Sequence, residues 1–137
     1  MQASEIIGLD IGQKRTGIAR ASSIARLAEP LMTIETEHLI YKLKEVFEKY
    51  QPECLVVGLP RNLQNQETQQ TKSVRAIAGD IQFHFPHTPI KFQDEALTTV
   101  AAAERFATDS KNIDAVAASI ILQDYLDEKK DNKDQNE

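Results

Sequence analysis

The sequence predicts an α/β domain built on a mixed five-stranded sheet flanked by helices. Three observations carry that expectation. Two short apolar runs, residues 5–11 and 16–21, are separated by a Gly-containing turn, the pattern of an antiparallel hairpin. From residue 37 onward, stretches of helical spacing alternate with short apolar runs. The run Leu55-Val56-Val57-Gly58-Leu59 has no polar alternation, as in a strand covered on both faces. The resulting order, β-β-β-α-β-α-β-α-α, fits helices laid on the faces of one sheet.

Each element has a local cause. Leu31-Met32-Thr33-Ile34, after Pro30, reads as the third strand. Between Glu37 and Tyr50 the apolar residues Leu39, Ile40, Leu43, Val46, Phe47 and Tyr50 fall on one helical face, with Lys42, Lys44, Glu45, Glu48 and Lys49 outside. Pro52 ends that helix. Residues 60–70 form a polar loop rich in Gln and Asn, whose Gln-rich segment 64–70 is expected to be mobile over the edge of a cleft. A helix from about Thr68 to Phe83 turns Val74, Ile77, Ala78 and Ile81 inward. Pro86 and Pro89 bracket a turn, and Ile90-Lys91-Phe92 is a short strand leading into Gln93-Asp94-Glu95. Of Phe83, Phe85 and Phe92, at least two are expected in the core. Helices over about 97–108 and 113–128 close the domain. The second keeps Ala117, Ala118, Ile121, Leu122 and Tyr125 on one face. The folded domain is expected over residues 1–126, and residues 127–137, wholly polar and charged, as a disordered tail.

A chain of 137 residues can bury a real core without disulfides. The single Cys54 cannot form an intramolecular bridge and reads as a small buried hydrophobe. His84 and His87, flanking Pro86 with no Cys or acid close by, read as surface-loop residues rather than zinc ligands. No apolar run approaches the roughly 20 residues needed to span a bilayer, and the first residues lack a basic region followed by an apolar stretch. A soluble, cytoplasmic protein with no membrane association is expected. The net charge of −5 works against phosphate backbones, but the charge is uneven. Residues 127–137 hold five acids and three bases, contributing −2, whereas residues 1–27 hold Lys14, Arg15, Arg20 and Arg26 against Glu5 and Asp10. A local positive face around the first hairpin follows.

Chemistry concentrates on three acids. Asp10 sits inside an apolar strand, where an ionised carboxylate is expensive unless hydrogen bonds, cations or a metal compensate it. Glu95, with Asp94 beside it, follows the last short strand, and Asp114 opens the final helix. The small residues Ala117 and Ala118 let that helix press on the sheet and carry Asp114 inward. Carboxylates about 4 Å apart repel by roughly 4 kcal/mol at an effective dielectric near 20. An assembly of three is tolerable with protonation or with divalent cations, and Mg²⁺ and Mn²⁺ favour such oxygen ligands. Taken singly, Asp114 also suits the helix dipole and Glu95 a solvated loop.

Four motifs then fall in order: Gly8-Leu9-Asp10-Ile11-Gly12-Gln13-Lys14-Arg15-Thr16-Gly17-Ile18-Ala19, Val56-Val57-Gly58-Leu59-Pro60-Arg61-Asn62, Asp94-Glu95-Ala96-Leu97-Thr98-Thr99, and Ile113-Asp114-Ala115-Val116-Ala117-Ala118 with Ile121-Leu122-Gln123-Asp124-Tyr125-Leu126. Over residues 5–126 the chain resembles the YqgF family, a bacterial Holliday-junction-resolvase-like group regarded as pre-16S rRNA nucleases. The resemblance implies a ribonuclease H-like fold and a nuclease site dependent on Mg²⁺ or Mn²⁺. It implies Asp10, Glu95 and Asp114 as catalytic, metal-binding carboxylates, with Asp94 a weaker candidate. Lys14 and Arg15 would contact phosphate, and Arg61 and Asn62 would line the same cleft. Thr98 would orient Glu95 or cap the next helix.

The implied activity is hydrolysis of phosphodiester bonds in structured nucleic acid, at the ends of 16S rRNA precursor, by a monomer or homodimer. The same residues permit a resolvase of four-way DNA junctions, or a non-catalytic nucleic-acid-binding factor in transcription or ribosome assembly. The first motif is also similar to the phosphate hairpin of actin-like ATPases, which need two lobes and a longer chain. Three departures bear on substrate affinity: Ala96 stands where the family carries Arg, Gln64-Asn65 replaces an Asp-Gly turn, and only residues 108–112 separate the last two helices where relatives often carry a longer basic segment.

Overall fold

The computed structural model describes residues 3–96 and 112–135. The helix expected over about 97–108, and Thr98 with it, lie outside the described residues. The elements run β1 (Glu5–Ile11), β2 (Arg15–Ser22), β3 (Glu29–Glu35), a 3₁₀ turn (Thr36–His38), α1 (Leu39–Tyr50), β4 (Cys54–Arg61), α2 (Gln69–His84), β5 (Ile90–Ala96) and α3 (Ile113–Gln135). The five strands form one sheet in the order β3-β2-β1-β4-β5. β1, β2 and β3 pair antiparallel, and β1, β4 and β5 pair parallel. This is the expected mixed sheet.

Strand alternation assigns side chains to two faces. Ile7, Leu9 and Ile11 of β1 join Leu55, Val57 and Leu59 of β4 against Leu39, Leu43 and Val46 of α1 and Val74 and Ile81 of α2. Ile6, Ala19, Ala21, Cys54 and Val56 point the other way, against Ala118, Ile121, Leu122 and Leu126 of α3. Burial pushes the Cys54 thiol up, so it packs as an unreactive apolar group.

α3 lies unusually close to the sheet because glycines face it. A Cβ on Gly8 would stand 2.8 Å from the Leu122 Cβ, and one on Gly17 would stand 1.8 Å from the Asp114 carbonyl oxygen. No methyl group fits at Gly17. The first turn of α3 therefore rests on bare β2 backbone.

Several elements differ from the sequence expectation. β3 starts at Glu29, before Pro30, and its register shifts between Ile18 and Ala19. Pro30 is tolerated because β3 is an edge strand, where a missing N–H leaves no ladder bond unmade. β5 continues through Ala96, so Asp94 and Glu95 are strand residues and not the start of a loop. Their pairing with Leu59 and Pro60 of β4 holds a Gln-Asp-Glu stretch of low strand propensity in extended form. α3 runs to Gln135, past the end expected near 128. The polar segment placed in a disordered tail is thus helical over 127–135. It contains no Gly or Pro, and Glu, Lys and Gln are good helix formers. Of the three phenylalanines only Phe85 packs with the core, 4.4 Å from Phe47. Phe83 is 81% exposed, and Phe92 lies at the surface beneath the Arg75 guanidinium.

Two substitutions separate close packing from simple glycine removal. Gly17→Ala is expected to destabilise the protein by about 2 kcal/mol or more, as overpacking does, because backbone and not a flexible side chain must yield. Gly79→Ala, in α2 with nothing within 4 Å of the added Cβ, is expected to stabilise by up to about 1 kcal/mol. Urea denaturation of both variants measures the contrast.

Candidate metal and phosphate site

Asp10 lies near the end of β1, paired with Gly17 of β2. Because the Asp114 backbone sits on Gly17, the same contact sets Asp114 above the Asp10–Gly17 pair. Strand alternation puts Asp10 on the face of Ile6 and Gly8, which is the α3 face. Glu95 pairs with Pro60 and lies two residues beyond Gln93, whose side chain donates to Glu128 of α3 at 3.0 Å. Glu95 is buried and shares that face. All three acids therefore occupy the α3 side of the sheet at the carboxyl ends of β1 and β5. Two inter-strand spacings, about 10 Å, separate the β1 and β5 backbones.

Asp10 and Asp114 interact directly through their charges. Burial, and secondarily the Asp114 charge, raises the Asp10 pKa from an ordinary 3.8 to about 6. Among the described residues no side chain donates a hydrogen bond to Asp10. Asp114 is instead met by Arg15, whose Nε donates to Asp114 Oδ2 at 3.0 Å. Lys14 is exposed and, with Gln13, Arg15, Glu35 and Glu37, lines a shallow pocket of ≈ 480 Å³.

The two residues expected to line the cleft, Arg61 and Asn62, are engaged with their own loop and with β5. Arg61 and Asp94 fall on the α1–α2 face by strand register, opposite Glu95. Arg61 donates through Nε to Asp94 Oδ1 at 3.1 Å, with Nη2 at the same distance as an ion pair, and lies 3.8 Å from Glu67, which in turn accepts from Arg75. This chain of ion pairs clasps the 62–67 loop to β5. The Asn62 side chain is committed to that loop: its Oδ1 accepts from the Gln64 and Gln66 backbone N–H groups. Sequence order places Arg61 and Asn62 beside the acids, but alternation along β4 puts Arg61 on the face of Leu55, Val57 and Leu59. A groove of ≈ 790 Å³ between Ile11, Gly12, Gln13 and the first turns of α2 also opens toward that other face.

Among the described residues only Glu35, Glu37 and His38 bring ligand atoms all within 4.8 Å of one another. All three are exposed, and His38 lies 3.3 Å from Glu35 and 3.5 Å from Glu37 as ordinary surface pairs. Asp10, Glu95 and Asp114 line one end of the sheet without closing to a common point. Their chemistry nevertheless fits a hard divalent cation: an all-oxygen donor set containing one desolvated carboxylate beside a second.

Sequence reasoning missed the residues that shape this end of the sheet. Thr36 Oγ1 donates to the Gly12 carbonyl at 2.8 Å and lies 2.9 Å from Oγ1 of the fully buried Thr16. Thr36 N–H also donates to the Lys14 carbonyl. These bonds brace the turn that presents Lys14 and Arg15. Gly17 was legible only as part of a motif; its close approach to α3 has no signal in a single sequence.

The raised Asp10 pKa has a signed consequence. The folded protein keeps that proton to about pH 6 while an unfolded chain loses it near 3.8. The native state binds more protons within this window, so stability falls as pH rises through it. Above it the cost levels at about 3 kcal/mol. Without divalent metal, Asp10→Asn is expected to be more stable than the parent at pH 7.5 by about 1–3 kcal/mol, the gain vanishing toward pH 4. Denaturant titrations at the two pH values check this; no gain at pH 7.5 contradicts it.

A sequence model of the RuvX family, described as Holliday junction resolvase, matches residues 4–128. Curated relatives named "Putative pre-16S rRNA nuclease" include one from Moorella thermoacetica, 40% identical and spanning 89% of this chain and 94% of its own. One from Chloroflexus aurantiacus is 35% identical, spanning 93% and 89%. Among solved structures, T. thermophilus RuvC in complex with a Holliday junction substrate superposes with a TM-score of 0.56 at 14% identity, covering 93% of this chain and 96% of that one. The fowlpox virus resolvase bound to Holliday junction DNA gives 0.52 at 14%, covering 90% and 97%. These likenesses establish the ribonuclease H-like fold of resolvases. With the family match spanning the sheet, its flanking helices and all three acids, the chain belongs to the RuvX (YqgF) family.

Proposed function

We propose that this protein is a cytoplasmic, divalent-metal-dependent nuclease that hydrolyses phosphodiester bonds at the ends of the 16S rRNA precursor. The observation that supports it most is the juxtaposition of Asp10 and Asp114 at Gly17, which sets a desolvated carboxylate beside a second one. The names of the curated relatives supply the substrate. No described helix is long and apolar enough to cross a membrane.

Asp10 and Asp114 would hold Mg²⁺ or Mn²⁺, with Glu95 contributing from β5. When bound, the cation supplies Lewis-acid polarisation of the phosphoryl oxygens and a nucleophile activated at neutral pH. The chain does the rest. Burial of Asp10 strengthens its attraction for a dication. The Lys14–Arg15 turn, held by Thr36, presents cations to the phosphate backbone, which neutralises part of the chain's net charge of −5 where it matters. Arg61 and Asn62 act in this reading as braces of the 62–67 loop.

A four-way DNA junction is the second substrate to weigh, because the matching family carries the description Holliday junction resolvase. Such an enzyme makes paired cuts as a dimer, whereas end trimming needs one subunit.

Purified protein is expected to shorten precursor 16S rRNA in Mn²⁺ or Mg²⁺ and not in EDTA. Asp10→Asn is expected to lower the rate by at least about a hundredfold, more than loss of an outer-shell partner. Gel assays with labelled precursor RNA and a four-way junction side by side choose between the substrates. Equal cleavage by parent and Asp10→Asn overturns the site assignment.

A further inference from the structure

Arg15 stands in a position that a phosphate ligand alone does not explain. It is the first residue of β2, on the α3 face with Gly17, and its Nε donates to Asp114 Oδ2 at 3.0 Å. Its side chain is 64% exposed and that of Asp114 21%. A guanidinium is always charged, so it cannot accommodate an arriving dication by losing a proton. It has to leave. Its path is short, because Glu35 is its direct partner across the β2–β3 ladder and the pocket between them holds Lys14 and Glu37.

Asp10 presents the opposite case. It is desolvated, and no cation is paired with it among the described residues. Of the two adjacent carboxylates, Asp10 is thus open to metal while Asp114 is covered by a cation that the chain itself supplies.

We infer that Arg15 is an exchangeable counter-ion: it covers Asp114 in the metal-free protein, yields that carboxylate to a divalent cation, and is thereby released to bind a phosphate of the nucleic acid. The inference rests on the metal-dependent nuclease reading above. It makes metal loading and substrate capture mutually supportive, since each ligand removes a competitor of the other. A phosphate also offers the guanidinium a two-pronged acceptor.

The test uses the full chain and Mn²⁺ alone, reading free Mn²⁺ by its electron paramagnetic resonance signal at pH 7.5 and low salt, with circular dichroism to confirm folding. Arg15→Gln is expected to bind Mn²⁺ at least about threefold more tightly than the parent, the range an exposed ion pair withholds. Lys14→Gln removes the same charge one residue away without a pair to Asp114, and so measures the general field. The Arg15→Gln gain must exceed it, and must disappear in an Asp114→Asn background. Arg15→Gln must also weaken binding of a labelled RNA in Mn²⁺, read by fluorescence anisotropy.

A gain no larger than that of Lys14→Gln, or one that persists with Asp114→Asn, overturns the exchange. Unchanged RNA affinity overturns the release to phosphate. If instead Asp10→Asn and Asp114→Asn leave parental Mn²⁺ binding untouched, the metal-site reading itself fails and takes the exchange with it.

Discussion

The close approach of α3 to the backbone of β2 is the contact on which the rest of this site depends. Gly17 offers no side chain, so the Asp114 backbone comes nearer the sheet than any Cβ would allow. That approach places one carboxylate over another and takes water away from Asp10. The two faces differ in the same sense: the α3 layer mixes Ala19, Ala21 and Ala118 with Ile6, Val56, Ile121, Leu122 and Leu126, while the buried residues of the α1–α2 layer are Leu, Ile and Val alone. A thin layer brings a helix end close to strand ends; a thick one would hold the acids apart.

The destabilisation this creates is local and chemically useful. Burial opposes the charge of Asp10, and the neighbouring Asp114 charge opposes it further. The fold tolerates the arrangement because Arg15 offsets Asp114 at the surface and because the large apolar layer on the other side of the sheet is well packed. In the proposed function, a site strained toward neutralisation would attract a dication more strongly than solvated acids would, linking the packing of Gly17 to phosphodiester hydrolysis.

Much of this was legible in the sequence, for identifiable reasons. Asp10 announced itself as a charge in an apolar strand, and helical spacing with Ala117 and Ala118 gave the inward turn of Asp114. The sheet followed from alternation between apolar runs and amphipathic stretches. Legibility failed where tertiary pairing overrides local preference. Gln93-Asp94-Glu95 has poor strand propensity, so the extension of β5 to Ala96 was invisible, and with it the register that sends Glu95 to one face and Asp94 with Arg61 to the other. Asn62, read as lining the cleft, has its Oδ1 engaged by backbone N–H groups of its own loop, bonds with no signature in the sequence. The hydroxyl bridge from Thr36 to Gly12 joins residues 24 apart and has no local signature. Beyond Asp127, charge suggested disorder where helix propensity without Gly or Pro extends α3.

The electrostatic pair at Gly17 is tested most directly by locating the cation itself. Crystals soaked in Mn²⁺ and measured near the manganese absorption edge are expected to show an anomalous peak at carboxylate oxygens of Asp10 and Asp114, with the Arg15 guanidinium displaced. A peak at Glu35, Glu37 and His38 alone, or none beside Asp10, would contradict the account.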